Sequence, residues 1–242
     1  MSDTRQIKTA IGAMMLAAIV TAGYAGWTSH TLHTYFALSV LALAAATSRM
    51  KVKLPGINGN MSLNLPFLLV AVANLSAAES VVITCVSAAV QCWPRKNTNL
   101  NRSQMTFNLG MMVFATASAS QIFHAGWLKQ LQWNSNTFAL NLGACTLFLG
   151  QTVPVSGIVA ISERKSIVQT WQTLALLSFP HYVVSAGITS MVLAVNAHIG
   201  WQLALAVFPV MYVIHRSYKL YFSVMANNMR FEMMTKAAGA GA

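Results

Sequence analysis

The segment SRMKVKLPGINGNMSLNLP, Ser48–Pro66, holds three cations, two glycines, three asparagines and two prolines between runs that are almost wholly apolar. Its reading depends on its surroundings. Of 242 residues, 56% are hydrophobic and only 8% are charged, and the mean hydropathy is +0.56. Water-soluble domains carry about a quarter charged residues, so this chain lacks the means to cover an ordinary aqueous surface. Apolar runs of membrane-spanning length, ~20 residues, recur from end to end. They predict an all-α, polytopic transmembrane bundle of six to eight helices over residues 1–222, followed by a short tail, 223–242.

On either side of the polar segment, eight spans are drawn at roughly 8–27, 31–48, 61–75, 77–93, 103–125, 136–161, 178–197 and 200–222. The third and fourth are short enough to be a tightly turned helical pair. Pro154 and Pro180 are expected to bend or break their surroundings, because proline removes a donor and clashes with the preceding turn. Residues 164–177 are expected to lie partly along the interface. The first run comes after Arg5 and Lys8 and ends in small residues, as a signal peptide does, but is read as a retained first helix.

The formal charge of +11 does not indicate nucleic acid, since the cations stand in small clusters between apolar runs, with no basic arm. With eight spans the connections alternate sides, which puts every Lys and Arg except Lys129 on one side. Cations in short loops are retained in the cytoplasm, so a multi-pass protein of the inner (plasma) membrane is expected, with both termini cytoplasmic. Trp27, Trp127, Trp133 and Trp201 then fall near the outer interface. The polar segment thereby gains a side: Arg49, Lys51 and Lys53 anchor it at the cytoplasmic face. Cations alternate with apolar residues in RMKVKL, which suits an extended segment. The uncharged remainder, PGINGNMSLN, is an interfacial loop, or else a fold-back in which Asn58, Asn60, Ser62 and Asn64 line a cavity.

Polar groups at membrane depth are costly and therefore informative. Thr116, Ser120 and His124 recur every four residues on one face of the fifth span, flanked by Gln121. Asn74, Glu79, His124 and Asn141 are expected near the outer ends of their spans, where they could converge on one pocket. Asn60, Ser62, Asn64, Asn74, Glu79, Gln121, His124 and Asn141 are thus the candidate ligand-binding residues. For each there is a plainer role: Glu79 as a helix cap, and the hydroxyls as contacts between helices. His30, His33, His124 and His198 share the predicted outer side and form an alternative set for zinc, copper or haem. His181 and His215 lie nearer the other face and are left out of it. Cys85 and Cys92 fall seven apart on one helical face and are read as small apolar residues. No cofactor is indicated, and no H-E-x-x-H, G-x-S-x-G or Walker pattern occurs, so an enzyme is not expected.

Taken together, SRMKVKLPGINGNMSLNLPFLLVAVANLSAAESVVITCVSAAVQ, TFNLGMMVFATASA, WQTLALLSFPHYVVSAGITSMV and GWQLALAVFPVMYVIHRSYKLYF resemble the membrane-embedded input domain that precedes GGDEF or HD-GYP domains in bacterial signalling proteins. Such regions are similar in turn to the substrate-binding S components of energy-coupling-factor vitamin transporters. The resemblance implies a small molecule held among about six helices, and a membrane or cytoplasmic partner protein. It departs after Tyr221, where about twenty residues replace the catalytic domain, so an input module without an output is expected. A transport subunit or permease, and a purely structural assembly protein, are the alternative readings.

Overall fold

The computed structural model describes residues 2–29, 34–53, 55, 60–94, 101–129, 135–199 and 202–239. Its helices are α1 (Ser2–Thr28), α2 (Thr34–Ser48), α3 (Leu65–Asn74), α4 (Ala77–Cys92), α5 (Arg102–Phe123), the single turn α6 (Gly126–Lys129), α7 (Ser135–Glu163), α8 (Ile167–Ile199) and α9 (Gln202–Gly239). Strands β1 (Lys51–Lys53) and β2 (Asn60–Ser62) stand between α2 and α3. The fold is an all-α bundle with one small hairpin inserted. Among the described residues, three helical stretches are long and apolar enough to cross a membrane: Arg5–Thr28, Asn136–Glu163 and Ile167–Val195.

Helix α5 is the hub, packed on α1, α4 and α7, while α8 joins α7 to α3. Small residues allow the close approaches. A Cβ on Gly150 would stand 2.8 Å from the Cβ of Ala115, and one on Gly110 would stand 2.9 Å from Met15 Sδ. Such contacts bring helix backbones together by van der Waals packing where hydrophobic exclusion from water is weak. One core gathers Val40, Leu43, Val52, Met61, Leu63, Phe67, Leu68, Met111 and Met211; a second gathers Leu69, Val72, Ala115, Leu140 and Leu147.

The structure corrects several expectations. Residues 167–177 do not lie apart from the following span but form the first three turns of α8, which runs unbroken through Pro180 to Ile199. Pro154 likewise does not break α7, and Pro209 sits inside the continuous α9. The α7–α8 corner comes earlier, at Arg164, whose φ of 53° is left-handed. There the Lys165 N–H donates back to the Ala160 carbonyl at 3.0 Å, which closes α7 as a left-handed cap does. Residue 222 falls inside α9, which continues without a break to Gly239. Finally, α2 and α3 have 15 and 10 residues, lengths of only ~22 and ~15 Å at 1.5 Å per residue. Neither alone matches a ~30 Å hydrocarbon core. The hairpin joins them.

That hairpin is the extended segment anticipated from RMKVKL. Its strands pair antiparallel, Lys51 with Ser62, Val52 with Met61 and Lys53 with Asn60. Successive side chains of a strand point to opposite faces, so Val52 and Met61 enter the core, at 2% and 9% exposure, while Lys53 stays exposed. The Ser62 hydroxyl ties β2 to the end of α2 by donating to the Ser48 carbonyl at 3.2 Å. The Arg49 guanidinium reaches the Val90 carbonyl at 3.5 Å, a cation at the negative end of α4.

Candidate functional site

The expected outer pocket resolves into local contacts. Ser76 caps α4: its hydroxyl accepts from the Glu79 N–H at 3.3 Å, and the Glu79 carboxylate accepts from the Ser76 N–H at 3.0 Å and hydroxyl at 2.8 Å. This reciprocal capping box satisfies donors that a helix start leaves orphaned. The Ala78 N–H is met by Ser29 Oγ at 3.0 Å, which docks the end of α1 onto the same corner. Asn74 donates to the Val70 carbonyl of its own helix at 3.1 Å, and His124 Nε2 lies 3.1 Å from the Val72 carbonyl. Three expected residues are therefore attached to the α3–α4 corner. Asn141 is not among them; it stands exposed on α7. Gln121 is half-buried on α5. The best-formed concavities among the described residues are open surface depressions, at Gly26–Ser29 and along Arg5–Ala13, and neither includes an expected binding residue.

The stripe on α5 makes contacts between helices. Thr84 Oγ1 lies 2.8 Å from the Ser80 carbonyl and 3.1 Å from Thr116 Oγ1, with both side chains fully buried. One turn away on the same two helices, the hydroxyls of Ser80 and Ser120 are buried without a partner. Nearer the hairpin, Asn64 Nδ2 donates to Ser87 Oγ at 2.6 Å, and Ser87 Oγ lies 3.4 Å from the Ala44 carbonyl. The chain entering α3 is thereby locked to α4 and α2. Of the alternative metal set, His30 and His33 lie outside the described residues, as does Asn58, and nothing is described of the side chains of His198 and Asn60. Among the described residues, no three His, Cys, Asp or Glu side chains gather as a metal site.

The polar constellation with capacity to spare lies on α8 instead. Ser178, His181, Ser185 and Thr189 are spaced by three and four and share one buried face, at 5%, 2%, 1% and 0% exposure. Thr189 Oγ1 lies 3.2 Å from the Pro66 carbonyl at the start of α3 and 2.9 Å from that of Ser185. Ser178 donates to the Leu174 carbonyl at 2.6 Å. Between them, neither His181 nitrogen has a hydrogen-bond partner, and neither does the Ser185 hydroxyl. The Ser62 backbone of the hairpin lies close enough to interact with the imidazole as an acceptor, though outside good hydrogen-bond geometry. Tyr182 and Tyr218 meet it edge-on, with ring centroids 6.1 and 5.9 Å away.

Buried polar groups are nearly always hydrogen-bonded, and each one that is not costs about 1–3 kcal/mol. Two such side chains stand one turn apart, under a hairpin held by only three residue pairs. They form a place suited to receive a polar group. A neutral imidazole presents one N–H donor and one lone-pair acceptor, and the hydroxyl presents both. Together the two side chains offer donors and acceptors to one further uncharged polar group. Sequence reasoning passed over this site, although the signal was there: SxxHxxxSxxxT is as periodic as the α5 stripe. Compared with protein-family models, curated proteins and solved structures, the chain matches none.

Proposed function

We propose that this chain is a multi-pass integral membrane protein, termini cytoplasmic, that binds a small molecule and serves as a sensor or regulator. One observation carries the reading: on α8 the almost fully buried Ser185 hydroxyl has no partner, and the buried His181 nitrogens make no hydrogen bond of good geometry, with only the Ser62 backbone interacting with the ring. In a membrane-embedded helix, an ionisable side chain in that condition marks a functional site by default. Of the residues expected to bind, Ser62 and Asn64 belong to the hairpin and its exit, beside this site.

A ligand shifts a conformational equilibrium only by its differential affinity for two arrangements. Here the two arrangements are the hairpin closed on His181, as in the structure, and the hairpin lifted with ligand beneath. Pro180, adjacent to His181, leaves a backbone carbonyl one turn earlier without its helical donor, so α8 yields most easily at that level. Native mass spectrometry of gently purified protein tests the proposal. A reproducible extra mass, lost in both His181→Leu and Ser185→Val, is the expected result. Bare protein in every preparation, or an extra mass that both variants keep, overturns it.

A further inference from the structure

Helix α3, ten residues long, begins inside the bundle without a side-chain cap. Asn64 holds the N-cap position, but its amide donates to Ser87 instead. The N–H groups of Phe67 and Leu68 both turn back to the Asn64 carbonyl, at 3.1 Å each, and Pro66 has no N–H to give. The Leu65 N–H is thereby left without a helical partner, at the end of α3 where the peptide dipoles concentrate positive potential. Leu65 is only 3% exposed, so bulk water does not meet this end of the helix.

Helix α8 brings its own unpartnered groups to the same level. His181, Ser185 and Thr189 follow at four-residue steps on one face. The first lies beside the Ser62 backbone, and Oγ1 of the last lies 3.2 Å from the Pro66 carbonyl. Ser185, midway between them, is therefore set against the chain that enters α3. A second contact agrees: Leu65 shares its core with Tyr182 and Ala186, which flank Ser185 on α8. The Ser185 hydroxyl, 1% exposed and without a partner, thus stands at the N-terminus of α3. The Ser62 carbonyl lies on the side of the ring's N–H, which leaves the other imidazole nitrogen with a lone pair to offer.

We infer that this corner receives a carboxyl group, so that the small molecule of the binding reading, on which this inference rests, is a carboxylic acid. The positive end of α3 and the Ser185 O–H call for an acceptor, and the imidazole lone pair calls for a donor. A carboxylic acid carries the two on separate oxygens of one carbon, and can reach both sides of a site whose side chains stand one turn apart. Its proton stays on oxygen or passes to the ring nitrogen. Either way the pair is neutral as a whole, which avoids the cost of an isolated buried charge. An alcohol carries donor and acceptor on a single atom, and a cationic amine is repelled by the positive end of α3.

Thermal scans of the full-length protein in detergent test the inference with three probes that share one tail: hexanoate, hexan-1-ol and hexylamine. Hexanoate at about 10 mM is expected to raise the midpoint by about 3 °C or more, and the other two by less than about 1 °C. His181→Leu and Ser185→Val, each compared with its own ligand-free midpoint, should lose that shift, while Ser185→Thr, which restores a hydroxyl, should keep it. An equal shift from hexan-1-ol or hexylamine, or a hexanoate shift that survives in both His181→Leu and Ser185→Val, overturns the inference and leaves the binding reading standing. No shift from hexanoate also overturns it; the binding reading falls with it only if native mass spectra show bare protein as well.

Discussion

Replacing His181 with leucine should make the ligand-free protein more stable. The imidazole is 2% exposed and neither nitrogen makes a hydrogen bond of good geometry, with only the Ser62 backbone interacting with the ring. An unpaired buried polar group costs about 1–3 kcal/mol, and leucine of similar volume removes that cost at both ring positions. The substitution loses the pair of edge contacts with Tyr182 and Tyr218, each about 0.5–1.5 kcal/mol. The balance favours leucine by about 1–3 kcal/mol. For a chain of this size that corresponds to a rise of about 2–4 °C per kcal/mol. Alanine at the same position removes the polar group but also leaves a cavity, and should be about 2–4 kcal/mol less stable than leucine. The assay is a thermal scan of the detergent-solubilised protein, read by the surviving size-exclusion peak, on material shown to be bare by native mass spectrometry. If leucine lowers the midpoint as much as alanine does, the ring nitrogens are satisfied in place and the case for an unsatisfied polar site fails. A more stable protein that no longer binds is the outcome expected of a site held in a costly state for its function.

Three further substitutions probe the rest of the structure by the same scan. Glu79→Gln should change stability little, because the amide oxygen still accepts from Ser76, whereas Glu79→Ala should cost about 0.5–2 kcal/mol; an equal loss in both would show that the charge matters, not the cap. Asn64→Leu removes the 2.6 Å bond to Ser87 and should destabilise by about 1–3 kcal/mol, and an unchanged midpoint would mean that this bond does not hold the hairpin. Gly150→Ala forces its Cβ onto Ala115 and should cost about 1–3 kcal/mol, while Gly187→Ala, with nothing within 4 Å, should be neutral; the reverse order would refute the close α5–α7 approach.

How much of this was legible in the sequence differs from element to element. Hydropathy and spacing located the helices, and the alternation in RMKVKL gave away a strand, because each depends on residues close in the chain. The lengths of α2 and α3 were harder. An apolar run that continues into a buried hairpin reads like one that continues as helix, and only the hairpin's contacts tell them apart. Pro180 does not break α8, because a proline inside a packed helix leaves its neighbours' geometry to tertiary support. His181 was set aside for its distance from the other histidines, while its true company, Ser62, Ser185 and Tyr218, comes from three separate elements. Periodicity shows which residues share a face; it does not show which face meets a partner that fails to satisfy it. The pocket expected from Asn74, Glu79, His124 and Asn141 rested on equal depth; the structure gathers the first three at the α3–α4 corner and leaves Asn141 exposed on α7.

The three residue pairs of the hairpin also bear on how this gene can vary. Because strand side chains alternate with a period of two, one residue inserted between Ser48 and Val52 would rotate Val52 out of the core and turn Lys51 or Lys53 into it. Point changes at the exposed Lys53 leave the pairing intact. Related sequences should therefore differ freely in residue type along the outer edge of this hairpin, yet conserve its length between α2 and β1, and any indels there should come in twos.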